Sequence, residues 1–437
     1  MAESLAGFPF WVLEFDKDCN ALDSVARFLG ELPGEGLTDL FIFSHGWNND
    51  HATALDLYAR FFGAMRQILD NPSVTVRPAA RIGVAGVLWP SILFPGDTVP
   101  PASDGGASSF SPGQEPSLES ELSKAFCRSD QQETLQELIE LLNNRTPSNE
   151  SLLLFRDKLK QLVTPAQLPS TQDDLEAVTK VDDDSWLELL SKTTEVPAET
   201  DSDGGAASLG GVFDKLWDGA KGLLRVATYW EMKNRAGLVG KNGLGPLLGK
   251  VNGGSPELRI HLLGHSFGAR LVSYSLQGLP DGLIGPQSPI KMLLLLQGAF
   301  SHFAFAAKLP FDAGRSGDLI GMAKRVDGPL LATYSRKDTA VGVSYPPASF
   351  LAGADASDAG DVMYRWEGMG CDGAQAVDAK GEVLGDVFTK YPFATGEWLN
   401  LDGNDVIVAG GPPSGAHSDI VHPETAWAAL AAARIVS

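Results

Sequence analysis

Residues Arg259 to Ser275, RIHLLGHSFGARLVSYS, constrain the fold more than any other stretch of the chain. Ile260, Leu262 and Leu263 predict a short buried strand. Ala269 to Leu276 predict a helix, with small or apolar residues at Ala269, Val272 and Leu276. Between them stands Gly264-His265-Ser266-Phe267-Gly268, a G-x-S-x-G pentapeptide. A serine on so sharp a strand-to-helix turn is held in a strained backbone conformation. Its neighbours two residues away on either side must lack bulk, or their Cβ atoms would strike the strand and the helix. Such a turn lifts the Ser266 hydroxyl above the carboxyl edge of a sheet. It also aims the unpaired N–H groups of a helix start at any oxyanion formed there. The five letters alone also fit an ordinary turn; the strand before and the helix after them are what predict a nucleophile.

The same alternation runs along most of the chain. Phe8 to Phe15 predicts a first strand near a sheet edge, and Thr38 to Ser44 a strand covered on both faces, leading into Ser44-His45-Gly46-Trp47-Asn48. Helical periodicity follows from Ala52 to Leu69. Arg81 to Leu88, Ile290 to Leu296 and Pro329 to Tyr334 predict further buried strands, Trp398 to Ala409 a last strand or hairpin, and Pro423 to Ile435 a closing helix. Short buried strands alternating with helices predict an α/β class with a mostly parallel sheet flanked by helices. Sites in such sheets lie at the carboxyl ends of strands, where Ser44, Ser266, Gln297 and Asp338 fall.

One segment differs in kind. Ser111 to Asp203 holds 20 acidic and 8 basic residues, a net of −12, which leaves −9 of the chain's −21 for all the rest. A Pro-, Gly- and Ser-rich lead-in precedes it and an Asp-, Gly- and Ser-rich link, Thr200 to Gly211, closes it. Between these lie amphipathic patterns at Ser120 to Phe126, Thr134 to Leu142, Ser151 to Leu162 and Trp186 to Leu190. Their apolar stripes need a surface to bury against. The expected organisation is therefore residues 1–93 and 212–437 as two halves of one α/β core, with 94–211 as a large helical cap insertion.

The acidic balance argues against nucleic acid and anionic membrane surfaces as partners. No apolar run approaches the ~20 residues of a membrane span, and the N-terminus lacks the basic start of a signal peptide. A cytoplasmic protein without membrane insertion is expected. The three cysteines, Cys19, Cys127 and Cys371, show neither paired nor metal-ligand spacing, so reduced thiols and no metal or cofactor are expected.

A serine hydroxyl needs a base within hydrogen-bond reach, and the base an orienting acid. Of seven histidines, His261 lies inside the nucleophile strand and His265 beside the serine. His417 sits in a glycine-containing loop after the last strand, and His422 at a helix start. Asp338 follows a buried strand by four residues in a turn-like SRKD segment, where it serves equally as a helix cap. Asp312, Asp318 and Asp361 are the other candidates for the acid. The backbone N–H groups of Phe267 and Trp47 are the candidate oxyanion donors, with Gly46 allowing close approach.

LFIFSHGWN, LLGHSFGARL, YSRKD and GAHSDI together resemble the α/β-hydrolase superfamily of serine hydrolases. The resemblance covers roughly residues 8–93 and 212–437 and not the insertion. It implies Ser266 as nucleophile, His417 as base, Asp338 as acid and Trp47 and Phe267 as oxyanion donors, with His45, Gly46 and His265 near the substrate. The implied activity is cleavage of an ester or related acyl bond in a small-molecule substrate. Aromatics such as Phe94, Trp186 and Trp217 lean towards a lipid-like one. A serine peptidase, a thioesterase, an exported lipase and an inactive binding protein on the same fold are the alternatives.

Overall fold

The computed structural model describes residues 2–47, 49–91, 122–123, 125–127, 129–163, 209–342, 364, 367–411 and 414–437. Nine strands form one sheet: β1 Glu3–Leu5, β2 Phe8–Glu14, β3 Asp39–Ser44, β4 Ile82–Leu88, β5 Arg259–His265, β6 Ile290–Leu296, β7 Leu330–Tyr334, β8 Lys380–Val383 and β9 Trp398–Asp402. Their order is β1-β2-β4-β3-β5-β6-β7-β9-β8. Only β1 and β2 run antiparallel, through a tight turn at Ala6 and Gly7; all other neighbours are parallel. The expected mostly parallel sheet with flanking helices is present.

The central strands are apolar in both directions because both faces are covered. In β3, Phe41 and Phe43 face one side and Leu40 and Ile42 the other, and all four are buried. Phe43 meets Phe61 and Phe62 edge-on, at ring centroids 5.0 and 6.3 Å, from helix α1, His51–Leu69. Burying each such ring contributes about 1.5–3 kcal/mol. Helix α2, Pro423–Ala432, adds Trp427 and Leu430 to the same core. The α1 helix begins where expected because Asp50 caps it, accepting the Thr53 N–H at 2.8 Å.

Strands β1 and β8 are absent from the sequence expectation. Both are outermost, and all four residues of β8, KGEV, are exposed. Such a strand has no buried face and so leaves no apolar alternation to read.

The chain divides into two compact units. One comprises residues 1–91, 235–348 and 360–437, the other 92–234 and 349–359. The second is described by helices α3 Ser129–Asn144, α4 Asn149–Val163 and the first part of α5 Leu209–Leu238. Its apolar stripes, Leu135, Leu138, Leu142, Leu152, Phe155, Leu159 and Leu162, are buried as the periodicity predicts. Trp217 packs edge-on against Phe155 at 5.9 Å and donates its indole N–H to the Thr146 carbonyl at 3.0 Å. That packing groups residues up to Asn234 with the helical unit, whereas the sequence places the boundary at 211/212. The segment from Trp186 to Leu190 lies outside the described residues. Among the described residues no helix is long and apolar enough to cross a membrane.

Candidate active site

β5 ends at His265, and the chain turns at Ser266 straight into helix α6, Phe267–Ser275. Ser266 has φ 57° and ψ −124°, a backbone conformation that costs a serine about 1–3 kcal/mol. The flanking residues show what holds it there. A Cβ on Gly268 would overlap the carbonyls of Ser44 and His45, and one on Gly264 would strike the Gly268 backbone. The turn is fastened to β6 on both sides. Ser266 N–H donates to the Leu296 carbonyl at 3.1 Å, and its own carbonyl accepts from Ala299 N–H at 3.2 Å.

Three residues far apart in sequence meet at this turn. His417 Nε2 lies 2.8 Å from Ser266 Oγ, and His417 Nδ1 lies 2.8 Å from Asp338 Oδ2. The carboxylate selects the tautomer: Nδ1–H donates to Asp338, and the Nε2 lone pair is left to accept from the serine hydroxyl. Two docked turns make this geometry. Asp338 closes the turn after β7, its N–H on the Ser335 carbonyl at 3.1 Å. The Ala416 N–H then donates to the Lys337 carbonyl at 2.8 Å and brings the His417 loop against that turn. Asp338 is buried, and its Oδ1 also accepts from Val341 N–H at 3.3 Å. It is both the partner of the imidazole and the cap of the following helical turn.

Gln297 is the member that the sequence does not single out for a role. It follows β6, is fully buried and adopts φ 46°. Its Nε2 donates to Asp338 Oδ2 at 2.9 Å and to the Gly370 carbonyl at 3.0 Å. Its Oε1 accepts from Thr333 Oγ1 at 3.0 Å. A carbonyl only accepts, so the Gly370 contact fixes which end of the amide faces Asp338. Its place at a strand's carboxyl end was the only available signal.

The Ser44–Trp47 loop runs alongside. A Cβ on Gly46 would lie 2.5 Å from Ser266 Cβ and 3.0 Å from its Oγ, so only glycine allows this approach. Trp47, next in sequence, stacks its ring on Phe267 at 6.1 Å. The two residues expected to supply oxyanion donors thus lie side by side beyond the serine. The loop is anchored by Tyr58, which accepts the His45 N–H at 2.9 Å, and by Trp89, whose indole N–H donates to the His45 carbonyl at 3.1 Å.

The structure gives the other two expected imidazoles protein partners. His45 stacks on Trp89, with Nδ1 on the Gly46 carbonyl at 2.8 Å. His265 donates from Nε2 to the His417 carbonyl at 2.9 Å. Burial lowers the His45 pKa to about 4. Burial, reinforced by the nearby His417, lowers that of His265 to about 3. Both are neutral near pH 7 and serve as supports of the two loops. His422 lies elsewhere: it binds Asp419 at 2.9 Å and caps α2. Asp318 accepts from Tyr274, Asp312 shapes a turn, and Asp361 lies outside the described residues. His302, Glu367 and Asp372 form the one metal-type cluster found among the described residues.

No protein-family model, curated protein or solved structure matches the chain.

Proposed function

We propose that the protein is a serine hydrolase of the α/β-hydrolase type, cleaving an ester or related acyl bond. The observation that carries the proposal is the unbroken relay from Ser266 Oγ through His417 to Asp338, both links 2.8 Å, on a serine held at positive φ. The order Ser, Asp, His along the chain and the parallel sheet below support it. In the proposed reaction His417 Nε2 takes the Ser266 proton as Oγ attacks the substrate carbonyl. The Trp47 and Phe267 N–H groups stabilise the oxyanion. The imidazolium, stabilised by Asp338, then protonates the leaving alcohol. Water, deprotonated by His417, attacks the acyl-serine and releases the acid with the proton returned to Ser266.

A thioester or peptide carbonyl would follow the same steps, so thioesterase and peptidase activity belong to the same chemistry. An inactive binding protein would have no need of the strained serine. The helical unit follows the carboxyl end of β4 in sequence. Trp217 is engaged in that unit's own core, so it lends no weight to a lipid-like substrate. Cysteines that form no disulfide, Cys19, Cys127 and Cys371, fit a reducing compartment such as the cytoplasm.

Labelling with a fluorophosphonate probe tests the proposal. The wild-type protein is expected to label, Ser266→Ala and His417→Ala to lose labelling, and His422→Ala to keep it. Labelling that persists in Ser266→Ala removes the nucleophile, and with it the proposed mechanism.

A further inference from the structure

A second cluster of functional side chains lies beside the supports of the triad acid. Phe300 to His302 pair with the segment from Glu367: Ser301 bridges Gly368, and Met369 N–H donates to the Phe300 carbonyl at 2.9 Å. This pairing brings one donor atom each of His302, Glu367 and Asp372 within 4.8 Å of one another. His302 is fully buried, with Nδ1 at 2.8 and 3.0 Å from the two Asp372 carboxylate oxygens.

The charge balance distinguishes this cluster from an ordinary internal ion pair. At the other end of the sheet, Asp39 is buried against His261 at 2.9 Å, and there Arg259 at 3.0 Å and Arg77 supply two guanidinium groups. The second cluster has two carboxylates to one imidazole. Among the described residues no lysine or arginine comes within salt-bridge distance of Glu367 or Asp372, and the Arg336 guanidinium acts on Glu367 from further away. The Cys371 thiol hydrogen-bonds Glu367. Two carboxylates and one buried imidazole thus face one another within the reach of a single ion.

We propose that His302, Glu367 and Asp372 bind a divalent metal ion. One nitrogen and two carboxylates suit Zn²⁺ or Mn²⁺. Bonds of about 2.0–2.2 Å to such an ion place its donors roughly 3–3.5 Å apart. The Asp372–His302 pair is already near that spacing, and Glu367 needs only a side-chain adjustment. The ion lies outside the serine relay and takes no part in acyl transfer. It braces the helical turn Met369–Asp372, whose Gly370 carbonyl holds Gln297, which in turn holds Asp338. The expectation of a metal-free protein, drawn from cysteine spacing, has no bearing on a site assembled from two segments far apart in sequence.

The test uses untagged full-length protein stripped with EDTA and titrated with ZnCl₂, then MnCl₂, by calorimetry and thermal melting. The expected result is one-to-one binding with a rise in melting temperature. Glu367→Gln should weaken binding at least tenfold while the EDTA-treated protein melts as the wild type does. Cobalt(II) should give a visible d–d band that Asp372→Asn abolishes. No uptake by the wild type at tenfold excess overturns the proposal, as does unchanged affinity in Glu367→Gln. Either result leaves His302 and Asp372 as a plain ion pair. Fluorophosphonate labelling of the stripped protein reports the serine relay separately, so failure here does not count against the proposed hydrolase activity.

Discussion

Replacing Asp338 by Asn probes the relay at its most buried joint. Oδ2 accepts from His417 Nδ1 at 2.8 Å and from Gln297 Nε2 at 2.9 Å, while Oδ1 accepts the Val341 N–H at 3.3 Å. The Gln297 amide cannot turn round, because the same Nε2 also donates to the Gly370 carbonyl. In Asp338→Asn the new carboxamide therefore keeps its oxygen towards His417 and Gln297 and sets its NH₂ against the Val341 N–H, donor against donor, giving up that longer hydrogen bond. The imidazole retains its tautomer, and the main loss is one of charge. With centres about 4 Å apart at an effective dielectric constant of about 20, the attraction lost is about 4 kcal/mol, or about a thousandfold in kcat/KM. Adding Gln297→Leu removes the donor that fixes the carboxamide. Its NH₂ can then face His417 Nδ1, which forces the tautomer with the proton on Nε2, where it cannot take the serine proton. A triad in the wrong tautomer loses about 10⁴-fold. The assay is p-nitrophenyl ester turnover from pH 6 to 9, with circular dichroism to confirm folding. Gln297→Leu should cost a larger factor in the Asp338→Asn background than in the wild type. Turnover by Asp338→Asn within tenfold of wild type refutes the role of the acid. An equal cost of Gln297→Leu in both backgrounds refutes the role of the amide.

Two further outcomes follow from the same geometry. Gly46→Ala places a methyl group 2.5 Å from Ser266 Cβ; overpacking of this kind costs about 1–3 kcal/mol, and turnover should fall at least tenfold. Unchanged turnover and melting would separate this loop from the site. His45 and His265 have folded pKa values lowered to about 4 and about 3, against about 6.5 when unfolded. Between these values the unfolded chain binds more protons, so stability should fall as the pH drops from about 6.5 towards 4. His265→Gln should flatten that limb of a melting-temperature profile, and a profile as steep as wild type would show that His265 does not contribute.

The elements legible in the sequence are those whose physics is local. LFIF and LLLL need cover on both faces wherever they lie, and the stripes from Leu135 to Leu162 need a buried side. The glycines around Ser266 are legible for the same reason, since a sharp turn excludes side chains at once. Strand β8 is not legible, because KGEV at a sheet edge buries nothing. The boundary at Asn234 is not legible either. Helical periodicity runs without a break from Val212 onward, and only the packing of Trp217 on Phe155 assigns its first half to the helical unit.

The sequence by itself determined the alternation of strand and helix, the sharp turn that carries Ser266, and the residue types able to serve it. The tertiary structure alone decided which of those residues meet. Choosing His417 over His422 depends on the docking of the 414–417 loop onto the Lys337 carbonyl. Recruiting Gln297 depends on three separate strands and turns converging on one amide. Gathering His302, Glu367 and Asp372 depends on a pairing across more than sixty residues. Hydrophobic periodicity is written between near neighbours, whereas a hydrogen bond between distant turns leaves no local trace.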